Sequence, residues 1–204
     1  MAKFITIEGI EGVGKSTALQ FLQQYFLEKG QPIVITREPG GTPLAEHLRQ
    51  LVLMPTMDEP IMPETELLLM FAARVQHIAQ VIRPALLADK WVLSDRFVDA
   101  TFAYQGGGRG IALSHITMLE DWLVKPLLPD LTILLDAPAE IGLARAKHRG
   151  KQDRIEQEKI EFFTRVRESY LTRAKEDPKR FYVIDAAQSL EDVQKELKNA
   201  VELK

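Results

Sequence analysis

One stretch of this sequence has the residue types and spacing of a phosphate-binding loop. Residues 9–16 read Gly-Ile-Glu-Gly-Val-Gly-Lys-Ser and match the pattern G-x-x-x-x-G-K-[ST]. The apolar segment 4–7 precedes this loop and a helical pattern follows it, which is the context the pattern requires. The glycines let backbone N–H groups and a helix N-terminus approach phosphates closely. The loop therefore predicts a nucleoside triphosphate site in which Lys15 reaches the β- and γ-phosphates and Ser16 ligates Mg²⁺.

A second pair of residues suited to phosphate chemistry follows another apolar segment. Residues 91–94 are apolar up to Ser94 and lead directly into Asp95 and Arg96. A carboxylate at that place can hold Mg²⁺ or its waters, and a guanidinium can bind phosphate through two parallel hydrogen bonds. A kinase with a small acceptor needs such a pair beside its P-loop. A GTPase switch is disfavoured, because Asn199 is the only asparagine in the sequence and no Asn-Lys-x-Asp motif exists.

The composition narrows the remaining classes of protein. The 204 residues suffice for one domain with a sizeable core, and the absence of cysteine excludes disulfides, thiolate metal sites and cysteine nucleophiles. A net charge of -3 provides no basic field for nucleic acid. No segment has the roughly 18 apolar residues of a membrane span or the pattern of a secretory signal. We therefore expect a cytoplasmic protein that binds neither nucleic acid nor membrane.

Short apolar segments alternate with helical patterns throughout, which predicts a single α/β domain over residues 1–204. Because these segments show little alternation, we expect a parallel five-stranded sheet covered by helices on both faces, the P-loop NTPase fold. The predicted strands are Phe4–Ile7, Ile33–Thr36, Trp91–Ser94, Leu131–Leu135 and Phe181–Ile184. The predicted helices span residues 15–28, 64–84, 114–124, 139–147 and 155–175, and a last one follows Ser189.

Two predicted loops follow strands of this sheet. One covers residues 37–43 and the other covers residues 104–110, which contain four glycines. Ligands bind at the carboxyl ends of the strands in open parallel sheets. Both loops should therefore reach the edge of the sheet at which the phosphate-binding loop lies.

Taken together, the motifs resemble those of the thymidylate kinase family over nearly the whole chain. The segments that carry the resemblance are Glu-Gly-x-Glu-Gly-x-Gly-Lys-Ser-Thr at 8–17, Thr-Arg-Glu-Pro-Gly-Gly at 36–41, Ala-Ala-Arg at 72–74, Asp-Arg-Phe at 95–97, Ala-Tyr-Gln-Gly-Gly-Gly-Arg-Gly at 103–110, Pro-Asp-Leu-Thr at 129–132 and Asp-Arg-Ile-Glu at 153–156. The resemblance implies transfer of the γ-phosphoryl of ATP to dTMP with Mg²⁺ as cofactor, and a homodimer.

The resemblance also implies roles around the acceptor. Glu11 would interact with the deoxyribose 3′-hydroxyl, Arg37 and Arg96 would hold the monophosphate, and Arg74 would hydrogen-bond the thymine ring. The other residues expected at the acceptor are Pro39, Thr101, Tyr104 and Gln105, of which Tyr104 would crowd the sugar's 2′ position. Many family members carry a phenylalanine four residues before the arginine that corresponds to Arg74. This chain has Met70 there and Phe71 one residue later, about 100° around a helix, so both remain candidates for contact with the base.

A basic segment near residues 145–154 resembles the mobile lid of the bacterial members of this family. The variable positions of the P-loop contain no arginine, so the resemblance implies that this lid supplies catalytic charge. Together with Lys15 and Arg96, we expect Arg149 and Arg154 to act on the transferring phosphoryl. The residues expected to bind ATP are Gly9, Ile10, Glu11, Gly12, Val13, Gly14, Lys15, Ser16 and Thr17 in the loop, with Arg145, Ala187 and Gln188 near adenine. Ser16 and Asp95 are the expected metal ligands.

The chemistry of the acceptor leaves alternatives open. The second pKa of a phosphate monoester is about 6, so the attacking oxygen of a nucleoside monophosphate is already ionised and needs no general base. A deoxynucleoside kinase would instead need a carboxylate base, for which Glu11 or Glu38 could serve. Two further alternatives are another nucleoside monophosphate kinase and a binding module that uses nucleotide only as a switch.

Overall fold

The computed structural model describes residues 2–54, 59–147 and 153–203, and these residues form a five-stranded parallel sheet. The order of the strands is β2-β3-β1-β4-β5. The strands are β1 Phe4–Glu8, β2 Ile33–Arg37, β3 Trp91–Asp95, β4 Leu131–Asp136 and β5 Phe181–Asp185. The prediction of a parallel five-stranded α/β sheet is confirmed.

Each strand extends one residue beyond its predicted end, and that residue is always charged. The apolar pattern stops before these residues, but a parallel ladder continues through backbone hydrogen bonds whatever the side chain. Asp95 is paired in register with Ile7 on one side and with Arg37 on the other. The sheet therefore ends in a row of charged side chains at its carboxyl edge.

The helices agree with prediction where a strong start signal exists. The predicted spans 15–28 and 139–147 are confirmed, and the hydroxyl of Ser189 accepts a hydrogen bond from the Asp192 N–H at the start of the last helix. The predicted helix 64–84 contains a π-helical stretch at Ile78–Ile82, and the one predicted from 155 begins at 160. The helices are α1 Lys15–Glu28, α2 Pro43–Leu53, α3 Pro63–His77, α4 Arg83–Leu87, α5 Val98–Thr101, α6 Leu113–Leu123, α7 Ala139–Lys147, α8 Ile160–Glu176 and α9 Leu190–Glu202.

Two segments differ from the predicted loops. Residues after Thr42 form α2, because the Thr42 hydroxyl caps the Ala45 N–H at 3.1 Å and a proline occupies the first helical turn. The loop predicted at 104–110 is wrong, since α5 continues into a π-helix over Phe102–Gly108. A Cβ at Gly107 would lie 2.7 Å from the Cβ of Ser169. The glycines there allow close packing against α8 rather than a turn.

Helices cover both faces of the sheet. Ile5 and Ile7 are buried in one apolar cluster with Leu22 and Phe26 of α1. On the opposite face, Glu8 receives a hydrogen bond from the hydroxyl of Tyr170 in α8. Within the described ranges, no helix is both long enough and apolar enough to cross a membrane.

Candidate active site

The phosphate-binding loop joins β1 to α1 in a conformation that requires glycine. Gly9, Gly12 and Gly14 have φ angles of 135°, 74° and 99°, which L-residues rarely adopt. Gly14 immediately precedes α1, and no side chain among the described residues caps that helix. The first N–H groups of α1 are therefore available to an anion.

The side chain of Lys15 lies over this loop. Its ammonium group donates hydrogen bonds to the carbonyl oxygens of Gly9, at 3.1 Å, and Ile10, at 2.8 Å. Burial, reinforced by the nearby charge of Arg96, lowers the pKa of Lys15 to about 8. The ammonium is thus held over the loop by two carbonyl oxygens, which the oxygens of a phosphate can replace.

An arginine reaches the P-loop although the loop itself contains none. Arg96 follows β3 with a left-handed φ of 68°, a strained conformation that is typical of functional sites. Its guanidinium donates to the Gly9 carbonyl at 3.0 Å and to Glu11 Oε1 at 2.9 Å. It also stacks 4.7 Å from the centre of the Tyr104 ring. Arg96, which is expected from the sequence to act beside the lid arginines, therefore lies next to the P-loop.

The carboxylate of Glu11, inside the P-loop, is bonded by side chains from outside the loop. Besides Arg96, it accepts hydrogen bonds from the Tyr104 hydroxyl at 2.9 and 2.8 Å. Burial, together with the charge of Glu11, raises the pKa of Tyr104 well above its ordinary value, although Arg96 opposes this shift. Tyr104 therefore stays a neutral hydroxyl that donates to Glu11.

A cavity of about 220 Å³ opens between the P-loop, α3 and the end of β3. Most residues predicted from the sequence to bind the acceptor line this cavity. They are Glu11, Pro39, Met70, Arg74, Arg96, Thr101, Tyr104 and Gln105, together with Lys15, Ser16 and Asp95 of the predicted phosphate and metal sites. Glu38, considered from the sequence only as a possible base, also lines the cavity. Lining residues that sequence reasoning missed are Arg49, Leu53, Phe97, Ala100, Asp153, Ile155 and Glu156.

Arg74, which lines this cavity, has one hydrogen-bond donor without a partner among the described residues. The residue is 3% exposed, and its Nε donates to Glu38 Oε2 at 2.7 Å while one terminal nitrogen donates to the Phe97 carbonyl at 3.1 Å. The other terminal nitrogen is buried and has no partner among the described residues. Buried donors of this kind are costly unless a ligand satisfies them.

Glu38, His77 and Thr36 form a buried chain of hydrogen bonds that fixes the position of the Arg74 guanidinium. Glu38 Oε1 lies 2.9 Å from Nδ1 of His77, whose Nε2 lies 2.6 Å from the Thr36 hydroxyl. The bonds are satisfied if Nδ1–H donates to Glu38 and Nε2 accepts from Thr36. Glu38 stands inside the motif at 36–41, which was a signal for its role, whereas His77 belongs to none of the motifs.

Met70 and Phe71 occupy different environments. Met70 lines the acceptor cavity. Phe71 is 2% exposed and belongs to the apolar cluster beneath the sheet, where the guanidinium of Arg74 lies 5.1 Å from its ring centre. The one-residue step on α3 turns Phe71 into the core, so of the two candidates only Met70 borders the cavity.

Arg37 lies beside the cavity rather than in its wall. Its exposed guanidinium pairs with Glu46 of α2 at 2.9 Å, in a neighbouring depression that also includes Asp95. One carboxylate oxygen of Asp95 is buried without a hydrogen-bond partner among the described residues. An unpartnered carboxylate oxygen beside the P-loop suits a divalent cation.

The predicted lid is only partly described. Arg149 lies outside the described residues. Arg154 does not line the acceptor cavity: its guanidinium pairs with Glu66 and donates to the Val52 carbonyl at 2.8 Å, and its N–H donates to the Leu53 carbonyl at 3.0 Å. In this structure Nε and one terminal nitrogen of Arg154 are thus bound to α2 and α3. Its action on the transferring phosphoryl stays a prediction.

A second cavity, of about 210 Å³, lies on the other side of the P-loop. It is lined by the predicted donor-site residues Val13, Gly14, Thr17, Arg145 and Gln188. Arg145 is held there by a 2.9 Å hydrogen bond to the Ala186 carbonyl. Ala186 also lines this cavity, whereas the predicted Ala187 does not; the Ala187 N–H donates to Asp185 at 2.8 Å.

The fold and the site together define a class of protein. A P-loop after the first strand of a parallel sheet lies between two cavities, and Lys15, Asp95 and Arg96 border the acceptor side. This arrangement is that of a P-loop phosphotransferase acting on a small acceptor.

Comparison with known proteins identifies the family. A model of the family described as "Thymidylate kinase" matches residues 7–197. The thymidylate kinases of Pseudomonas putida (strain GB-1) and Pseudomonas savastanoi pv. phaseolicola are each 56% identical over 194 residues, covering 95% of this chain and 92% of the relative. The crystal structure of thymidylate kinase from Ehrlichia chaffeensis has a TM-score of 0.79 at 34% identity and covers 98% of both chains. The chain belongs to the thymidylate kinase family.

Proposed function

We propose that this protein transfers the γ-phosphoryl of ATP to dTMP, yielding dTDP and ADP. The observation that carries the proposal is the position of Arg96, which bonds the P-loop at Gly9 and Glu11 and lines the acceptor cavity. A monophosphate bound to this guanidinium would adjoin the γ-phosphate on the loop.

The donor binds on the side of the loop away from Glu11. Its phosphates lie on the N-terminus of α1 and on Lys15, which exchanges its carbonyl partners for phosphate oxygens. The adenine occupies the second cavity between Arg145 and Gln188. The loop residues from Gly9 to Thr17 supply the remaining contacts.

The acceptor lies in the first cavity with its base towards α3. The free terminal nitrogen of Arg74 donates to the thymine ring, and Met70 packs on the ring through its polarizable sulfur. Thr101 and Gln105 line the same pocket, beside Pro39. Glu11 faces the 3′-hydroxyl and Tyr104 the 2′ position. Arg37 joins Arg96 on the monophosphate when it leaves Glu46.

Mg²⁺ is the proposed cofactor. Ser16 and Asp95 would hold it with the nucleotide phosphates, and the unpartnered oxygen of Asp95 fits this role. When bound, the ion neutralises negative charge on the phosphates. Within the described residues, no three side chains among His, Asp and Glu converge on one metal site, so most ligands would come from nucleotide and water.

The chain's own part in the reaction is alignment and charge neutralisation. An ionised oxygen of dTMP forms the new bond to the γ-phosphorus, the bond between that phosphorus and the β–γ bridging oxygen breaks, and ADP leaves with the electron pair. Lys15 and Arg96 stabilise the charge that moves between these oxygens. The participation of Arg149 stays a prediction.

The position of the carboxylates disfavours a deoxynucleoside kinase. Such an enzyme needs a free base near the acceptor hydroxyl. Glu11 is engaged by Arg96 and Tyr104, and Glu38 by Arg74 and His77. The oxygens of both candidate bases are thus already engaged by other side chains of the protein.

We propose a homodimer, formed through an exposed apolar face on the packed helices α3 and α6. Leu68 and Val75 on α3 and Met118 and Trp122 on α6 are exposed, Trp122 by 76%. Apolar side chains gathered in this way mark association sites. Light scattering should give twice the mass of one chain, and a value equal to the mass of one chain would contradict the dimer.

We also propose that residues 1–204 form one domain with a lid near 145–154, and that the protein is cytoplasmic.

A panel assay tests the reaction. ADP release is measured with ATP and each of the common nucleosides and nucleoside monophosphates, and we expect dTMP to give the highest kcat/KM. Lys15→Met should abolish release with every acceptor, which excludes a contaminating kinase. Phosphorylation of thymidine without phosphorylation of dTMP would overturn the proposal, and slow hydrolysis insensitive to dTMP would indicate a nucleotide switch.

A further inference from the structure

Glu66 belongs to none of the motifs, yet it is a buried carboxylate directly behind the acceptor cavity. It lies on α3 and is 1% exposed. Its Oε1 accepts hydrogen bonds from Gln105 Nε2 at 2.7 Å and from Arg109 Nε at 3.4 Å. Its Oε2 pairs with Arg154 and lies 3.3 Å from a terminal nitrogen of Arg109. Although burial opposes ionisation, hydrogen bonds from Arg154 and Gln105 lower the pKa of Glu66. The group is therefore an anion at neutral pH.

This anion determines which way the amide of Gln105 points. An ionised carboxylate accepts hydrogen bonds and cannot donate them, so it accepts only the NH₂ end of the amide. Gln105 lines the acceptor cavity, and with its NH₂ group bound to Glu66 it offers a ligand its carbonyl oxygen. A carbonyl oxygen accepts from the N3–H of thymine and repels the unprotonated N3 of cytosine.

The same carboxylate anchors part of the cavity wall. Besides Glu66, Arg154 binds the carbonyls of Val52 and Leu53 at the end of α2. The residues on either side of it, Asp153 and Ile155, line the acceptor cavity. The wall is therefore docked on the end of α2 through backbone contacts and on α3 through this ion pair.

We propose that Glu66 is a positioning residue of the acceptor site, which orients the Gln105 amide for the base through one oxygen and docks the wall beside Arg154 through the other. The proposal rests on dTMP being the acceptor. Glu66 itself does not line the cavity, so it acts on the nucleotide only through these two neighbours.

The test is Glu66→Gln, with Glu158→Gln as the matched control. A glutamine at 66 can accept from or donate to Gln105, so both amide orientations become satisfied. We expect the ratio of the Kd for dCMP to the Kd for dTMP, measured by calorimetry, to fall at least tenfold, while the Kd for ATP stays within twofold. Glu158 pairs with Arg109 but not with Gln105 or Arg154, so Glu158→Gln loses the same charge and should keep the ratio within twofold.

The variant Arg154→Met distinguishes the role of Oε2 of Glu66, which pairs with Arg154, from the role of Oε1, which bonds Gln105. It leaves the pair of Glu66 and Gln105 intact, so dTMP should bind about fivefold more weakly with the base ratio unchanged. Thermal unfolding confirms that each variant is folded, and Glu66→Asp, which withdraws the carboxylate by one methylene, replaces Glu66→Gln if that variant does not fold.

The outcomes separate this inference from the proposed function. An unchanged ratio of the Kd for dCMP to the Kd for dTMP in a folded Glu66 variant would overturn the positioning role. A large loss of kcat in Arg154→Met with normal dTMP affinity would also overturn it, because Arg154 would then be catalytic. If the unaltered enzyme binds dTMP but does not phosphorylate it, the proposed function fails while the orienting role of Glu66 is still measured by binding.

Discussion

Gly12 of the P-loop lies directly against Gly142 of α7. A Cβ added at Gly12 would overlap the Gly142 carbonyl oxygen, and one added at Gly142 would lie 2.5 Å from the Glu11 carbonyl oxygen. Two backbones that approach this closely leave room for no side chain on either. The position of the loop is thus coupled to the helix that carries Arg145 and leads into the predicted lid.

Gly142→Ala tests this contact. In an ordinary helix interior, glycine to alanine stabilises by about 1 kcal/mol. Here the added methyl group must push the P-loop aside, so we expect the opposite sign: lower stability and an ATP Kd raised about tenfold. Calorimetry with ATP and chemical denaturation measure both, and a more stable variant with normal ATP affinity would show that the loop does not depend on Gly142.

The pH dependence of ATP binding should report on Lys15. Because the pKa of the free enzyme's Lys15 is lowered to about 8, its positive charge is present below that pH and lost above it. Bound phosphate favours the charged form, so the ATP Kd should rise about tenfold from pH 7 to pH 9. Lys15→Arg keeps its charge throughout this range and should remove most of the dependence. Equal slopes in the two proteins would exclude Lys15 as the titrating group.

Stability should depend on Glu8 between weakly acidic and weakly alkaline pH. Burial, reinforced by Asp99, raises the pKa of Glu8 from 4.5 to about 8. The unfolded chain loses this proton first, so the contribution to stability is full below about pH 4.5 and is lost as pH rises to about 8. In denaturant unfolding, Glu8→Gln should reduce the decline of the free energy of unfolding with pH by up to about 1.4 kcal/mol per pH unit.

A matched control for Glu8 is Glu202→Gln. Glu202 is an exposed carboxylate that accepts a hydrogen bond from Tyr25, so its neutralisation removes the same charge without the burial. For Glu202→Gln, the free energy of unfolding should fall with pH as steeply as it does for the unaltered protein. A slope flattened equally by both variants would assign the effect to net charge.

Arg74→Lys should weaken dTMP selectively. Lysine keeps a positive charge near Glu38 but cannot bond Glu38, Phe97 and a ligand through one planar fork. Hydrogen bonds to charged groups contribute about 1.5–3 kcal/mol, so the KM for dTMP should rise by about ten- to a hundredfold. The KM for ATP should not change. Equal losses for both nucleotides would indicate a folding defect instead.

The sequence alone determined the fold class and the chemistry of the phosphate site. Apolar segments without alternation predict buried parallel strands, and the spacing of Gly9, Gly14 and Lys15 is a local property of one loop. The family resemblance that the order of the motifs carries also implied most residues that line the acceptor cavity, including Arg74 and Gln105. These features are local in sequence, so a pattern of neighbouring residues encodes them.

Only the tertiary structure decided which side chains meet across the chain. Phe71 turned into the core, Arg154 docked on a carboxylate 88 positions away, and the Arg96 guanidinium bonded the Gly9 carbonyl of the P-loop. Each outcome depends on distances between separate elements and on which buried donors and acceptors must be paired. A pattern of neighbouring residues contains no such information, because burial and hydrogen-bond partners are set only once the helices pack on the sheet.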